Sequence, residues 1–520
     1  MSGAMDSENS SGASAGPVGG GKSGKRNRIR TLDVILLGLA CWFQPLAVVA
    51  AHPEAVKSFG RLAILAIVPW LLSVGVCWAL VRRGRHPLPV VHTAFLTLVF
   101  AFTGARVVRF FGFGQGALLL VSTCTVMAWL FWRLKESVLL RALIVGFGVY
   151  LAAGPLVGGI QEFTQRRESV LSIPDALEVN FSTTPDVFVV IADSYPGLKA
   201  WEMDFPEMEY PLAEDLTHRG FALPTSAWAS YAWTHMSLPS LFQMDYPLLD
   251  GLGGHRMVRE LHEIIGGANR VLAAFEDAGY ETYMIEAGWS GSTCGIQYDH
   301  CVVDHFVDEA VFVTLDESIF APLVERMYGH SSTTGVRRSA DWLIEHVEEL
   351  SRDSEPSFVF AHLLAPHPPF FLDSDCEVAR AGHSQRRGVY FNDGEVPTEM
   401  RRAFFSEQRN CVDRILVGIA DLIDPSDVVL FLSDHGPDSR NQLIVGYPWD
   451  LEATIERMSV LAAFRTPGCD MGDQIVLPNV FRRLFTCLGG QPIEDIPIRM
   501  WRADMTEIGA QTIGSLVPVP

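Results

Sequence analysis

The sequence predicts a multi-span α-helical membrane region followed by an α/β domain with a mostly parallel central sheet. Three observations carry that prediction. The apolar residues of the 520-residue chain are concentrated before residue 160. Beyond residue 185, apolar β-type runs alternate with amphipathic helical stretches, the pattern of a parallel sheet covered by helices. Two of those runs, DVFVVIADSYPG (186–197) and VVLFLSDHGP (428–437), end abruptly in acids, where open α/β sheets keep their ligand sites.

The first 24 residues, rich in Ser, Gly and Ala, read as a disordered tail, and the basic cytoplasmic segment is set at 1–30. Mean hydropathy of +0.20 with 48% hydrophobic residues is high for a wholly soluble chain. Five apolar runs approach the ~20 residues that cross a bilayer: Leu32–Ala51, Leu62–Val81, Leu88–Ala105, Ala117–Trp132 (extendable towards Phe110) and Ala142–Ile160. The fourth is the weakest. Five runs argue against a cleaved signal peptide, which has a shorter core. Basic residues set orientation: Lys22, Lys25, Arg26, Arg28 and Arg30, then Arg82, Arg83 and Arg85, then Arg133, Lys135 and Arg141 fall on one, cytoplasmic, side. Arg106 and Arg109 dilute the contrast. The membrane domain is therefore placed at 31–160, a connector at 161–184, and an extracytoplasmic domain at 185–520, in a multi-pass protein of the plasma (inner) membrane.

Cysteine usage agrees. Cys41, Cys77 and Cys124 lie in apolar runs as small buried residues. The other six, Cys294, Cys301, Cys376, Cys411, Cys469 and Cys487, fall in the exported part, and an even number there points to disulfides. Spacing favours Cys294–Cys301 and Cys469–Cys487, leaving Cys376–Cys411, with other connectivities open. The formal net charge of −20 belongs mostly to the exported part and speaks against nucleic acid as a partner.

Strands are expected at Val187–Ala192, Thr282–Glu286, Ser357–His362, Val428–Ser433 and Ser459–Phe464. Helices are expected at Asn269–Ala278, Ser339–Leu350, Thr398–Leu422 and Pro478–Leu488. The strand-end residues Asp193, Asp434 and His435 are metal-ligand types brought to one sheet edge. In YAWTHMSLPSLFQMDY (231–246), Thr234 precedes a Ser-Leu-Pro turn and a short helix, whose N-terminus favours an anion such as phosphate. A bound dication can stabilise a threonine alkoxide at neutral pH. Ser237 is the alternative nucleophile. In AHLLAPHPPFFLD (361–373), His362 and His367 stand in a Pro-rich loop after a strand. Asp413, Trp233 and Tyr231 read as core or helix-face residues, with pocket lining the alternative, and SVLAAFRTPG (459–468) as a strand without chemistry.

T-x-x-S-L-P, an acid closing the first strand and S-D-H-G closing a late one resemble the sulfatase-type branch of the alkaline phosphatase superfamily. The nearest resemblance is to membrane-anchored phosphoethanolamine transferases and lipoteichoic acid synthases, which also place five spans before an exported catalytic domain. The resemblance implies an alkaline phosphatase-like (sulfatase-type) fold, with Thr234 the nucleophile and Asp193, Thr234, Asp434 and His435 holding one divalent ion, Zn²⁺ or Mn²⁺. It implies phosphate contact for His367, with His362 and Ser237 also as substrate-binding residues, and lets His367 protonate the leaving alcohol. Asp193 is followed by Ser194 where the family often has a second acid, which favours one tight metal over two. The C-x-P-x-R signature of formylglycine sulfatases is absent around Thr234, which disfavours sulfate-ester hydrolysis. The implied reaction moves a phospho-alcohol head group, of phosphoethanolamine or phosphoglycerol type, from a membrane phospholipid to an envelope glycan or lipid. The alternatives are a phosphodiesterase or phosphatase with water as acceptor, and an inactive binding relative.

Overall fold

The computed structural model describes residues 29–51, 59–104, 113–166, 179–204, 210–246, 255–287, 289–302, 311, 314–315, 318–319, 339–350, 355–379, 396–439, 449–489, 491–503 and 516–518. The tail to residue 28, Arg106, Arg109, Phe110 and connector residues 167–178 lie outside the described residues.

Each apolar run of the first part forms a helix: α1 (Thr31–Ala51), α2 (Phe59–Arg82), α3 (Pro87–Thr103), α4 (Phe113–Arg133) and α5 (Val138–Arg166). Two contain segments long and apolar enough to cross a membrane, Thr31–Ala50 and Gly60–Arg82. The other three carry shorter apolar stretches, Pro87–Thr103, Leu118–Arg133 and Val138–Leu151. The last helix does not stop at Ile160 but continues to Arg166, taking in the start of the expected connector. Large apolar side chains such as Leu72, Val121, Val138 and Tyr150 stand exposed on these helices. Asp33 on α1, by contrast, is buried and meets Arg141 on α5 at 3.4 Å. An ion pair tying two helices is the usual way such charges are tolerated in apolar surroundings.

The second part is built on a six-stranded sheet: β1 (Val187–Ala192), β2 (Glu281–Ile285), β3 (His300–Val302), β4 (Ser357–Leu363), β5 (Val428–Leu432) and β6 (Ala462–Arg465), in the order β3-β2-β4-β1-β5-β6. All pairings are parallel except β5 with β6. Strands β1, β4 and β5 are buried at every residue, so their sequences are continuous apolar runs rather than alternating ones. Two apolar layers cover the sheet. Phe275, Phe360, Phe481 and Phe485 lie in one, and Trp201, Leu416, Ile419 and Phe431 in the other.

The helices Arg270–Asp277, α7 (Thr398–Leu422) and Asn479–Cys487, and the helical stretch 339–350, occupy the expected positions. Asn269 caps the first of these by accepting from the Leu272 N–H at 2.8 Å. The expected last strand begins at Ala462, not Ser459. Ser459 and Val460 instead bridge to Trp228 and Pro196, and the Ser459 carbonyl accepts from Gly197 N–H at 3.0 Å. The two disulfides favoured by spacing form, Cys294–Cys301 and Cys469–Cys487, and the remaining pair is bridged as Cys376–Cys411.

Candidate active site

Strand register builds the site. Ile191 of β1 pairs with Leu432 of β5, so Asp193 and Asp434, each two residues further on, emerge level with one another. Ile191 also pairs with His362 of β4, which places that imidazole on the same rim. Both acids are buried, at 2% and 0% exposure, as is His435 at 1%. The sharp exit from β1 puts Ser194 at φ 64°, a left-handed conformation that a non-glycine residue adopts at a cost of about 1–3 kcal/mol. In return its N–H donates to Asp434 Oδ1 at 3.2 Å, and its hydroxyl lies 3.1 Å from His435 Nδ1.

After β5 the chain turns at Gly436. A Cβ there would lie 1.9 Å from the Glu456 carbonyl oxygen, so only glycine lets the SDHG loop pass α8 (Leu451–Met458). The Gly436 carbonyl lies 3.0 Å from His435 Nδ1 and accepts its proton. Nε2 is thereby left with its lone pair turned inward.

Three oxygens crowd that lone pair. The Thr234 hydroxyl is 3.1 Å away, Asp434 Oδ2 is 3.2 Å away and Asp193 Oδ1 is 3.7 Å away. Thr234 is the first residue of α6 (Thr234–Gln243), which follows the extended residue Trp233. Asp193 Oδ1 and Asp434 Oδ2 are buried and take no hydrogen bond from the described residues. Leaving carboxylate oxygens buried and unpaired is expensive, and a cation removes that cost. Asp193, Asp434 and His435 offer ligand atoms all within 4.8 Å of one another. Two hard oxygens, an imidazole and a hydroxyl therefore fit a divalent ion of the Zn²⁺ or Mn²⁺ kind.

The electrostatics follow from burial. Burial, then the charge of Asp193, pushes the Asp434 carboxyl up to about 7. For Asp193 burial acts in the same direction, but neighbouring His367 and the His362 contact overturn it and hold its carboxyl low. Burial, then the Arg457 charge, holds His435 well below the ordinary imidazole range, which keeps Nε2 unprotonated.

The other expected site residues divide. His367 is close, its ring centroid 6.1 Å from that of His435, and its backbone N–H donates to the Asp193 carbonyl at 3.0 Å. His362 Nε2 faces Asp193 Oδ2 at 3.5 Å and its ring packs edge-on near Trp289. Ser237 is not in the cluster: its buried hydroxyl donates to the Tyr231 carbonyl at 2.7 Å, closing the turn into α6. Tyr231 stacks on Trp501, and Asp413 accepts from Tyr195 and Arg409 inside the core. Two site residues escape a sequence reading. Ser194 reads there only as the lack of a second acid. Arg457 reads as one more charge on an amphipathic helix, yet it is buried against His435. A cleft opens beside Ser194 and Pro437, lined among others by Trp201, Phe370, Phe405, Arg401 and Arg402.

The description Sulfatase matches residues 185–453, from the start of β1 into α8. The chain belongs to the sulfatase family. It is thus an enzyme-family member of the sulfatase-type alkaline phosphatase superfamily, with an α/β domain whose sheet is mostly parallel. No curated protein matches it. Among solved structures it is similar to the integral membrane lipooligosaccharide phosphoethanolamine transferase A of Neisseria meningitidis, at 12% identity and TM-score 0.41, over 90% of this chain and 96% of that one. It is also similar to the zinc complex of the C-terminal periplasmic domain of EptC from Escherichia coli, at 10% identity and TM-score 0.41, over 65% and 96%. A third is the phosphonate monoester hydrolase of Agrobacterium radiobacter, at 14% identity and TM-score 0.40, over 59% and 74%.

Proposed function

We propose that this protein is a membrane-bound, metal-dependent phosphotransferase that carries a phospho-alcohol head group from a phospholipid to an envelope glycan or lipid through a phospho-threonine at Thr234. The observation that supports it best is the meeting of the Thr234 hydroxyl with the inward lone pair of His435 beside two unpaired carboxylate oxygens. Asp193, Asp434, His435 and Thr234 would hold the ion, whose charge favours the threonine alkoxide and offsets negative charge at phosphorus.

The chain's own groups do the rest. Thr234 Oγ, its proton lost to solvent, forms a bond to phosphorus while the P–O bond to the lipid breaks. His367 gives the departing oxygen its proton, so diacylglycerol remains in the membrane. In the second half the acceptor hydroxyl attacks phosphorus, returns a proton to His367 and releases Thr234. Ser194 and Gly436 fix the His435 ring throughout. The cleft beside Pro437 gives the entering acceptor room, and its aromatic walls shield the intermediate from water.

In this reading all five N-terminal helices span the plasma membrane, residues 31–160 form the membrane domain, and 185–520 form the extracytoplasmic domain. The exposed apolar side chains of α2, α4 and α5 support it, as do disulfides confined to the second part. A lipid donor is then held in the plane beside the site. Full-length protein in lipid vesicles, given an acceptor glycan, should release diacylglycerol and transfer the head group. Release of free phospho-alcohol as the sole product would instead establish the hydrolase of the same covalent mechanism.

A further inference from the structure

Arg457 is a second cation of the site. It is only 3% exposed, and α8 carries it in between the two loops that hold the reacting groups. Its Nε donates to the Ala232 carbonyl at 2.8 Å and its Nη1 to the Gly436 carbonyl at 2.7 Å. The third donor, Nη2, lies 3.2 Å from His435 Nε2, the same nitrogen that the Thr234 hydroxyl approaches. Asp438, Asp434, Asp193 and Glu456 surround the guanidinium with negative charge.

That third contact competes with an ion. With its Nδ1 proton given to Gly436, His435 has one lone pair at Nε2, and a lone pair cannot accept an N–H and ligate a cation together. Resting on the metal-dependent reading above, we propose that Arg457 and the ion compete for this lone pair. When the ion binds, the freed Nη2 donor turns to the phosphoryl oxygens carried by Thr234. The two remaining hydrogen bonds keep the guanidinium anchored two residues before Thr234 and one after His435, so the freed donor stays within the site. A planar guanidinium with paired N–H groups suits a phosphoryl group better than an ammonium does.

The proposal gives opposite signs for two ligands. Removing the positive charge should favour a dication, and removing the donor should disfavour an oxyanion. The full-length chain in detergent is stripped of metal and titrated calorimetrically with zinc alone, then zinc-loaded and titrated with inorganic phosphate. Arg457→Gln should bind zinc at least about tenfold more tightly, the size of effect one neighbouring charge exerts. It should bind phosphate about 10–100-fold more weakly, the loss of one charged hydrogen bond. Arg457→Lys keeps the charge but not the fork. It should hold zinc as the wild type does and still lose about tenfold in phosphate affinity. Weaker binding of both ligands by Arg457→Gln would mean a merely structural arginine and overturn the proposal. So would Arg457→Lys binding phosphate as the wild type does. A wild-type chain that takes up neither zinc nor manganese would overturn the metal-dependent reading itself, and this inference with it.

Discussion

The Thr234 hydroxyl lies 3.1 Å from His435 Nε2, although 201 residues separate the two. One stands on the first turn of α6 and the other just past β5, and the end of β1 supplies Asp193 beside them. The parallel register of β1 and β5 makes their ends level, which brings Asp193 and Asp434 beside this contact.

Removing the hydroxyl isolates its part in the chemistry. Thr234→Ala should keep zinc binding and lose turnover by at least about 10³-fold, as loss of a nucleophile does. Thr234→Ser should retain measurable activity, since its hydroxyl survives. Zinc content and turnover measured on the same preparations check this, and undiminished activity in Thr234→Ala would remove Thr234 from the mechanism.

Each unpaired carboxylate oxygen should matter to metal retention. Asp193→Ala, Asp434→Ala and His435→Ala should each elute without the stoichiometric zinc that the wild type retains, by elemental analysis. Full occupancy in Asp434→Ala would show that the ion sits elsewhere.

Gly436 should tolerate no side chain. Its Cβ would meet the Glu456 carbonyl at 1.9 Å, and that atom is backbone. Gly436→Ala should cost about 1–3 kcal/mol of stability and misplace His435, lowering zinc affinity as well. Thermal unfolding with and without zinc reads both effects.

Asp413 gives a pH signature. Burial raises its carboxyl above the usual range despite the neighbouring Arg409 and the Tyr195 hydrogen bond. The folded protein thus holds this proton more tightly than the unfolded chain. Its contribution to stability is full below the ordinary value of about 3.8 and is lost as pH rises through the higher folded value. Asp413→Asn should remove that falling component. Denaturant midpoints compared from pH 3 to pH 7 check it, and identical slopes for both proteins would contradict it.

The disulfide Cys376–Cys411 joins the loop after β4 to α7 across 35 residues. Replacing both cysteines with serine should cost about 2–4 kcal/mol, and non-reducing peptide maps of the wild type should show no free thiol among the six. Fusing a reporter active only outside the cytoplasm should succeed after Gly159 and fail after Arg85.

The sheet was legible because its central strands are buried on both faces. Val187–Ala192 is apolar throughout for that reason, and its end is unmistakable where Asp193 interrupts the run. Asp434 and His435 were legible in the same way. Thr234 needed a resemblance, since one hydroxyl before a Ser-Leu-Pro turn reads equally well as a helix start. Arg457 was not legible. Its side chain enters the site only because α8 crosses behind Gly436, and no local pattern distinguishes it from a solvated arginine. Ser237 is the reverse case: the segment marked it, but its hydroxyl is spent on the Tyr231 carbonyl. Helix length misled at Ile160, where GIQEFTQR carries α5 on past the apolar run to Arg166.

The central claim is a covalent intermediate on Thr234, and the most direct test is intact and peptide mass spectrometry of zinc-loaded, full-length protein. It is mixed with membrane phospholipid, without acceptor, and quenched in acid. The account predicts a phospho-alcohol adduct on the peptide containing Thr234, absent in Thr234→Ala and discharged when acceptor is added before the quench. An active protein that shows no adduct there, or carries it on Ser237 or any other residue, would contradict it.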